Sequence, residues 1–424
     1  MPEYKRKKIH TSRRRPKSVK VQKSAKGTQM RSEKRIKRDI TQDRSIRVIR
    51  GTKSDKHKKL YVFASVVAVA VLTVILMSVL LPVGLFESSR NFFYSFGSGS
   101  FPAELSGAQV IDCVPKNNYY YVLTDTSIMI FSNGGKKLFS SVHGFLSPVI
   151  TTSETRALVF DQGKNTAIIY NLSGIVDTIT SKDEIITADI ARDGQYALVT
   201  KSDSYASSVT VYSRKGKKLY NIKFAKDMVN GVDIANSGKK IAVSTLNAQS
   251  GKIFSSIRIY DFNSADPKFK LDLGQDTAYD IHNTGSGFFV VTHNKLRYIK
   301  WSKFTVNELD FDGEIAHMRY SNAGVMAVYN KTNDKSDNYV LLLKNSGKKI
   351  DEFEIKGIVN DIRFSRGRVY SIGDSKINIY SKHGEKLKSD ICGFGVIKIS
   401  VVGSNAICVI TDSEIQKIVV KKGN

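Results

Sequence analysis

The sequence predicts an all-β fold, an eight-bladed β-propeller, preceded by one transmembrane helix and a disordered basic N-terminal tail. Three observations support this prediction. Residues 60–81 form an apolar run without charge, and residues 1–59 are rich in lysine and arginine. From residue 107 onward, a pattern of short apolar strands recurs roughly every 40 residues, which is typical of propeller blades with four strands each.

Residues 1–59 form the first segment, and their composition predicts a disordered cytoplasmic tail. Apolar residues are scarce there and show no period, so no core can offset the loss of chain entropy. We expect two basic runs to bind the anionic lipid of the membrane surface; nucleic acid or a cytosolic protein is the alternative partner. The runs are Lys5, Arg6, Lys7 and Lys8, followed by Arg13, Arg14 and Arg15.

The apolar run Leu60–Leu81 predicts a single transmembrane helix. At about 1.5 Å per residue it is about 33 Å long, which is enough for a hydrocarbon core of about 30 Å. Pro82 and Gly84 follow and end the helix. Residues 1–60 carry 23 Lys and Arg against 5 Asp and Glu. The positive-inside rule therefore places the N-terminus in the cytoplasm and the C-terminal domain outside the plasma membrane.

Residues 82–100 are predicted to be a linker. Its aromatic residues Phe92, Phe93 and Tyr94 suit the outer membrane interface. The stretch Gly-Ser-Gly-Ser at 97–100 has the composition of a flexible spacer. The linker therefore leads from the membrane to the segment Phe101–Leu105, which stands just before the first repeat.

The domain at residues 101–424 consists of repeated units. The third unit shows the pattern in full: IITADIA, the turn RDG, QYALVTK, SSVTVYS, the turn RKGKK and LYNIKFA. Units begin near residues 107, 147, 184, 228, 276, 314, 357 and 394. The last unit has only three strands, so we expect Phe101–Leu105 to supply the fourth and close the ring. A seven-bladed propeller is the alternative.

Several stretches of these repeats resemble single-pass envelope proteins of Gram-positive, clostridia-like bacteria. In those proteins a basic N-terminus and a membrane helix precede a propeller-like domain of uncharacterised function. The matching stretches are FPAELSG at 101–107, VLTDTSIMIFSNGGKKLFSSVHG at 122–144, TADIARDGQYAL at 187–198 and VDIANSGKKIAVST at 232–245. The blade turns are also similar to those of WD40-like and quinoprotein-like propellers, although no Trp-Asp dipeptide occurs. The resemblance implies an architecture and a place at the cell envelope.

Five aspartates recur at one point of the predicted first strands, and they predict a partial carboxylate ring at the mouth of the channel. The first strand of a blade is the innermost one. Such a ring suits a hard cation or a basic ligand. In the alternative interpretation, each carboxylate accepts backbone N–H groups from the next turn or blade and holds the repeat together. The five are Asp112, Asp189, Asp233, Asp280 and Asp361.

The turns between second and third strands predict a binding face. They are enlarged at residues 202–208, 247–256 and 330–338, and propeller geometry places them on the face where the first strands begin. Variable loops on a rigid scaffold usually carry recognition. Tyr205 and Phe254 are the candidate aromatic anchors. Loop variation without function is the alternative.

The sequence contains no catalytic motif. Its seven histidines are scattered without metal-ligand spacing. Nucleophile elbow, P-loop and dinucleotide fingerprint are also missing. We therefore expect no enzymatic activity, no cofactor and no metal. Cys113, Cys392 and Cys408 lie in apolar strands and are expected to be buried free thiols; a bond from Cys408 to either of the others is the alternative.

Together these features predict a membrane-anchored, extracytoplasmic propeller that acts as a binding or scaffold module for a protein, peptide or cell-wall polymer. Two other functions are alternatives. One is a propeller-type glycan hydrolase or lyase, since such enzymes gather carboxylates from distant blades. The other is a transmembrane sensor whose basic tail binds a cytosolic partner or nucleic acid.

Overall fold

The computed structural model describes residues 53–80, 83–95, 97, 99–105, 109–331 and 336–420. Both basic runs of the tail lie outside these ranges. The expectations of a disordered tail and of its lipid or nucleic-acid partners therefore stay predictions. The described residues comprise two helices followed by a large β-domain.

Helix α1 (Lys53–Leu80) covers nearly all of the predicted membrane segment. Its described side chains from Leu60 to Thr73 are exposed along their whole length. Within the ranges that the structure describes, no helix reaches the length and apolarity needed to cross a membrane. The membrane span at Leu60–Leu81 stays a prediction.

Helix α2 (Val83–Tyr94) occupies the segment that the sequence assigned to a linker. Its inner face carries Glu87 and Asn91, which are only 4% and 3% exposed. These two residues are four positions apart and therefore lie on one side of the helix. Their polar side chains are buried against the β-domain, where they form hydrogen bonds that hold α2 in place.

The β-domain contains thirty-two strands within the described residues, grouped into eight four-stranded antiparallel sheets. Each sheet is a blade, and seven of the eight blades consist of four consecutive strands. The strands of blades 1 to 4 are β2 (Val110–Pro115), β3 (Tyr119–Thr124), β4 (Ser127–Ser132), β5 (Lys137–Val142), β6 (Pro148–Thr152), β7 (Ala157–Asp161), β8 (Thr166–Asn171), β9 (Gly174–Thr180), β10 (Ile185–Ile190), β11 (Tyr196–Thr200), β12 (Ser207–Tyr212), β13 (Lys218–Phe224), β14 (Met228–Ile234), β15 (Lys240–Gln249), β16 (Lys252–Asp261) and β17 (Phe269–Gly274).

The remaining strands form blades 5 to 8, and blade 8 also takes up β1 from the N-terminal side. They are β1 (Ala103–Glu104), β18 (Asp280–Asn283), β19 (Gly287–Val291), β20 (Lys295–Lys300), β21 (Val306–Asp310), β22 (Glu314–Ser321), β23 (Gly324–Asn330), β24 (Asp337–Leu343), β25 (Lys349–Lys356), β26 (Asp361–Ser365), β27 (Arg368–Gly373), β28 (Lys376–Ser381), β29 (Lys386–Ile391), β30 (Lys398–Val401), β31 (Ala406–Ile410) and β32 (Glu414–Val419). The first strands of adjacent blades contact one another, so they line the central channel. The eight-bladed prediction is confirmed, and the seven-bladed alternative is wrong.

The ring closes through β1, which pairs with β32 in the order β1-β32-β31-β30. Ala103 faces Ile415 in this pairing, and the Leu105 N–H donates to the Ser413 carbonyl over 2.8 Å. The predicted donor segment Phe101–Leu105 is therefore confirmed. The Phe101 ring packs on Gly135, where a Cβ would lie 2.8 Å from the ring and φ is +83°. Both constraints require glycine at this turn.

The core is divided into eight apolar clusters, one between each pair of adjacent blades. Between blades 2 and 3, for example, Leu158 and Phe160 pack against Ile190 and Leu198. Strands such as β11 are buried at every position because both faces of a blade are covered by its neighbours. This two-sided burial explains why the strands are nearly continuous apolar runs rather than alternating ones.

The three cysteines are buried free thiols, as the sequence predicted, and the alternative disulfides are wrong. Cys113 and Cys408 belong to the apolar cluster that closes the ring between blades 8 and 1, and Cys392 belongs to the cluster between blades 7 and 8. Burial raises the pKa of the Cys408 thiol to about 11. A thiol that is buried and protonated is a poor nucleophile, so these cysteines act as small apolar core residues.

Candidate functional site

The five predicted aspartates line the channel, but at two levels rather than one. In blade 7, Asp361 stands four residues before the closing pair of the first turn, Ser365 with Arg368. In blade 3, Asp189 stands only two residues before Ala191, whose N–H donates to the Gln195 carbonyl across the turn. Two residues along a strand correspond to about 6.6 Å. The five aspartates therefore do not share one position relative to the first turn, and the partial carboxylate ring stays a prediction.

Turn length is the reason for the two levels. Blades 1, 5 and 7 have tight first turns, so their first strands are longer. Asp112, Asp280 and Asp361 stand four residues before the turn, a position that we call the upper level. Blades 3 and 4 have longer first turns. Asp189 and Asp233 stand two residues before the turn, a position that we call the lower level. An alignment of strand sequences cannot separate these cases unless the length of the following turn is counted.

Asp189 and Asp233 each accept a backbone N–H from the next blade. The Asp189 Oδ2 accepts from Ile234 N at 3.0 Å, and its Oδ1 accepts from the Thr151 hydroxyl at 3.3 Å. The Asp233 Oδ2 accepts from Asn283 N, while its Oδ1 has no hydrogen-bond partner among the described residues. These contacts match the alternative interpretation of the aspartates, in which each one holds adjacent blades together.

Asp280 completes a group that we call the acidic arc: Asp189, Asp233 and Asp280, in blades 3 to 5. Its Oδ2 accepts the Tyr320 hydroxyl of blade 6 at 2.6 Å. No ion pair joins any member of the acidic arc to a cation within the described ranges. Burial raises the pKa of Asp189 and of Asp280. Burial and the nearby Asp189 charge raise the pKa of Asp233 well above its usual range.

Asp361, on the other side of the channel, is fully buried between two guanidinium groups. Arg319 Nη2 lies 2.9 Å from its Oδ1, and Arg363 Nη2 lies 3.1 Å from its Oδ2. The Ile399 N–H of the next blade also donates to Oδ2, at 3.0 Å. Burial alone would raise the pKa of Asp361, but Arg363 and Arg319 hold it below its usual value. We call Arg319, Arg363 and Lys398 the basic arc, since they belong to blades 6 to 8.

Side chains also cross the channel between blades that are not neighbours. Arg363 of blade 7 donates to the Cys113 carbonyl of blade 1 at 3.2 Å. Asn322 of blade 6 donates to Asn117 Oδ1 of blade 1 at 3.1 Å. These contacts narrow the channel where the first strands end. Nowhere in the described part of the chain do three or more His, Cys, Asp or Glu side chains converge as metal ligands would.

The three enlarged turns have different structures. Tyr205 lies in the connection after β11 with 36% of its surface exposed, and Lys223 Nζ sits 4.8 Å above its ring. Residues 247–256 are a projecting β-hairpin rather than a loop. Its turn residues Ser250 and Gly251 have φ of 50° and 76°, as a type I′ turn requires. The third turn lies partly outside the described residues.

Phe254 is half-buried on this hairpin, where it pairs with Asn247. The neighbouring Ile253 is the exposed apolar residue, at 55%. Successive residues of a strand point to opposite sides of the sheet. Phe254, the predicted anchor, therefore faces one side, and its neighbour Ile253 faces the other. The hairpin therefore presents Ile253 as its most exposed apolar side chain.

Exposed apolar side chains are concentrated on the face where the first strands begin, which we call the apolar face. Its connections run from the second to the third strand and from one blade to the next. Among the described residues of this face, nine large side chains are at least 36% exposed: Val142, Leu146, Tyr205, Met228, Ile253, Tyr279, Ile358, Ile391 and Phe394. Sequence reasoning selected only Tyr205 from this set. The missed signal was apolar residues within the turns, where solvated loops normally carry polar ones.

Phe394 is the most exposed of these residues, at 91%. It stands between Gly393 and Gly395, whose φ values of 78° and 73° belong to the left-handed region. Glycine adopts this region without strain, so the two glycines fit the turn that carries the exposed Phe394 ring. An apolar ring held out in water by a shaped backbone is typical of an interaction anchor.

The opposite face, where the first strands end, is basic. We call it the basic face, and its connections run from first to second and from third to fourth strands. Eleven exposed cations lie in the described connections of this face, against three exposed anions, Glu154, Asp266 and Glu385. The cations are Lys136, Arg192, Lys215, Lys217, Lys239, Lys268, Lys303, Lys344, Lys348, Arg366 and Lys382. The same count on the apolar face yields five cations and six anions, so the basic charge belongs to one side.

The Gly-Lys turns of the repeat produce this asymmetry. In blade 6 Gly347 has a φ of 78°, and a Cβ there would lie 2.6 Å from the Tyr298 ring of the neighbouring blade. In blade 7 Gly384 has the same arrangement beneath Phe353, with a φ of 81°. Glycine is therefore required to make the turn fit under an aromatic ring. In blades 1, 3, 4 and 6 an exposed lysine directly follows the turn glycine: Lys136, Lys217, Lys239 and Lys348.

Helix α2 docks on this basic face through Glu87. The Glu87 carboxylate pairs with Arg156 at 3.3 Å and with Arg214, and it accepts the Thr155 hydroxyl at 3.0 Å. Burial would raise the pKa of Glu87, but Arg156 and Arg214 hold it below its usual value. Asn91 adds a bond of 3.2 Å to the Thr155 carbonyl. Sequence reasoning missed this site because its partners lie 64 or more residues away.

A polar groove of about 450 Å³ lies at the outer edge of blades 2 and 3. Thr178, Tyr196, Tyr212 and Asn221 are among the residues that line it. Tyr196 and Tyr212 stack with ring centroids 5.0 Å apart. The groove lies away from both the acidic arc and Phe394, so it forms no single site with either of them.

This fold fits a binding or scaffold module, a class defined by a rigid ring with variable connections on its faces. Residues 106–420 match the model of a family of unknown function, DUF5711, and the chain belongs to that family. Among curated proteins, none matches the chain.

Solved structures show the same fold at low identity. The computationally designed Ika8 protein is 11% identical with a TM-score of 0.53, covering 76% of this chain and 100% of its own. The C-terminal WD40 domain of Sif2 is 11% identical with a TM-score of 0.51, covering 77% of this chain and 100% of its own. BamB from Moraxella catarrhalis is 9% identical with a TM-score of 0.46, covering 74% and 99%. The similarities to the Ika8 protein and to the Sif2 domain establish the propeller fold alone.

Proposed function

We propose that this protein is a membrane-anchored, extracytoplasmic propeller that binds a protein or peptide partner through its apolar face. The observation that carries the proposal is Phe394, 91% exposed between two left-handed glycines. An exposed phenylalanine ring is costly in water, and such rings serve as anchors when a partner covers them. Eight further exposed apolar side chains on the same face enlarge the surface that a partner would bury.

The chemistry of the apolar face favours a protein over a wall polymer. Isoleucine, leucine, methionine and phenylalanine side chains gain from contact with apolar groups, whereas wall polymers are polar. The channel carboxylates hold adjacent blades together, and we assign them no catalytic role. We therefore do not propose the glycan hydrolase alternative.

The proposed anchor is the segment Leu60–Leu81. Its support is the absence of charge over the whole run, together with the exposure of Phe63, Val66, Val69 and Leu72 on α1 at 60% or more. A helix that is apolar on all sides requires an apolar environment. In this proposal the basic tail stays in the cytoplasm and contacts anionic lipid.

Site-specific photo-cross-linking in intact cells tests the recognition surface. A photoreactive residue at Phe394 or Ile253 should yield a discrete cross-linked protein. The matched control positions are Ile175 and Leu387, which are 53% and 37% exposed but lie near the opposite end of the blades. Phe394→Ser combined with Leu146→Ser should abolish the product obtained from Ile253, and neither change should alter folding because both side chains are exposed.

Equal products from test and control positions, or none from any of them, would refute a recognition surface on the apolar face. Cross-linking to glycan instead of protein would reassign the partner to a wall polymer. Melting temperatures of the serine variants should match that of the parent chain, which separates lost binding from lost folding.

Thiol labelling tests the proposed topology. The native cysteines are buried, so an exposed cysteine introduced by Ser204→Cys should be the main site labelled by a membrane-impermeant maleimide on whole cells. A cysteine introduced in the tail by Ser18→Cys should react only after lysis. Labelling of Ser18→Cys in intact cells, or protection of Ser204→Cys, would overturn the proposed orientation.

A further inference from the structure

We propose that the basic face lies flat on an anionic phospholipid surface, so that the propeller presents its apolar face away from the membrane. This inference rests on the proposed membrane anchor. It adds a second contact with the bilayer, made by lysine and arginine side chains with lipid phosphates. Three independent features of the structure lead to it.

The first feature is charge. Eleven exposed cations against three exposed anions stand in the described connections of one face, while the opposite face is balanced. Most of these cations are lysines on turns, and lysine binds phosphate as a flexible point charge. A plane of such charges complements a membrane surface better than it complements a small anion, because the charges are spread over blade 1 and blades 3 to 7 and do not converge.

The second feature is chain connection. Leu80 ends α1 and Val83 begins α2, so at most about 11 Å of chain joins the two helices. Helix α2 docks on the basic face through Glu87. If α1 ends at the outer surface of the bilayer, the face that holds α2 must be the one next to that surface. The opposite, apolar face cannot be reached by so short a connection.

The third feature is the aromatic end of α2. Phe92, Phe93 and Tyr94 are 49%, 72% and 53% exposed, although Glu87 and Asn91 on the same helix are buried. Exposed phenylalanine and tyrosine side chains at the end of a membrane-proximal helix are typical of the headgroup region. They stand beside the basic connections, so aromatic and cationic groups would meet the lipid surface together.

Energy transfer from the full-length chain to labelled lipid in nanodiscs tests the inference. A donor dye is attached through Ser346→Cys, an exposed position on the basic face, or through Ser204→Cys on the other face. In discs with 30% phosphatidylglycerol, transfer from position 346 should exceed transfer from position 204. In phosphatidylcholine discs, or in 500 mM salt, the difference should shrink, because screening weakens contacts with surface phosphates.

Charge reversal supplies a matched comparison. Lys303→Glu, Lys348→Glu and Lys382→Glu together should lower the ratio of docked to undocked protein roughly tenfold or more. The control variant carries Lys164→Glu, Lys182→Glu and Lys226→Glu on the apolar face, the same change in net charge. It should dock like the parent chain. Equal losses in both variants would show an effect of overall charge and would overturn the inference.

The remaining outcomes separate this inference from the proposed function. Insertion into the discs is measured first, by flotation. A chain that does not insert would refute the anchor and the docking together. A chain that inserts but shows equal transfer in both lipid compositions would refute docking alone. Loss of docking on addition of soluble polyphosphate, with equal polyphosphate binding in phosphatidylcholine discs, would reassign the basic face to a soluble polyanion.

Discussion

Buried aspartates on the two sides of the channel have pKa values shifted in opposite directions. Asp361, in blade 7, is surrounded by two arginines and a backbone N–H, and its pKa is lowered. Asp233, in blade 4, has a single N–H donor and two other carboxylates nearby, and its pKa is raised. Both are buried, and both bond to the next blade. The difference lies in the charges around them: Asp361 has Arg363 on its own strand and Arg319 in blade 6, whereas Asp233 has Asp189 and Asp280 in the two adjacent blades.

This comparison shows that repetition conserves architecture but not electrostatics. The backbone contact from an aspartate to the next blade recurs in blades 3, 4 and 7. Blades 6 and 7 have an arginine, Arg319 or Arg363, at the position where blades 3 and 4 have aspartate. A carboxylate between cations stabilises the fold at neutral pH, whereas one among carboxylates costs stability there.

The largest effect is expected from Asp361→Asn. Asparagine presents only one oxygen, so Arg319 and Arg363 lose part of their partner inside the ring. Breaking a buried ion pair by removing one member costs about 3 kcal/mol or more. We expect the thermal midpoint to fall by several degrees at pH 7, as measured by circular dichroism. A midpoint equal to that of the parent would show that the two arginines do not need this carboxylate.

The matching change on the other side, Asp233→Asn, should have the opposite sign. The amide oxygen can still accept the Asn283 N–H, while the negative charge near Asp189 and Asp280 is removed. A gain of about 1 kcal/mol is expected at pH 7. Because the folded-state pKa is raised, the carboxylate's contribution is favourable at low pH and is lost as pH rises through that pKa. The gain should therefore diminish toward pH 4, and a destabilised variant at pH 7 would contradict this account.

The smallest effect concerns His282, whose ring stacks on Tyr320 with centroids 3.7 Å apart. Burial and the Lys116 charge lower its pKa to about 4. An unfolded histidine titrates near 6.5, so the folded protein loses stability as pH falls from about 6.5 toward 4. His282→Phe keeps the stacked ring and removes this titration. Relative to the variant, the parent should lose about 1 kcal/mol between pH 7 and 5.5. A constant difference over this range would contradict the lowered pKa.

Much of the fold could be predicted because the repeat records it directly. Unit boundaries follow from strand and turn composition, and the missing fourth strand of the last unit indicates closure by Phe101–Leu105. The contacts of the candidate site could not be predicted, because they depend on distances between residues that are far apart in the sequence. Asp112 and Asp189 look equivalent until turn length is considered. Glu87 meets Arg156 and Arg214 only after blades 2 and 3 have folded.

The two faces show the same limit. Each Gly-Lys turn is visible in the sequence as a local feature, but the fold is needed to place all of them on one side. Phe394 stands in a Gly-Phe-Gly stretch that reads as an ordinary loop. Its exposure becomes apparent only when Gly393 and Gly395 are found in the left-handed region.

The docked helix α2 also has a mechanical consequence. Strand β1, which closes the ring, is short and pairs with β32 through Ala103 and Glu104. A pulling force on the chain before Val83 acts on α2 first. There it is borne by the ion pairs of Glu87 with Arg156 and Arg214. The load then passes into the turns of blades 2 and 3, away from the seam between the last blade and the first. Helix α2 therefore takes up the load before strand β1 does.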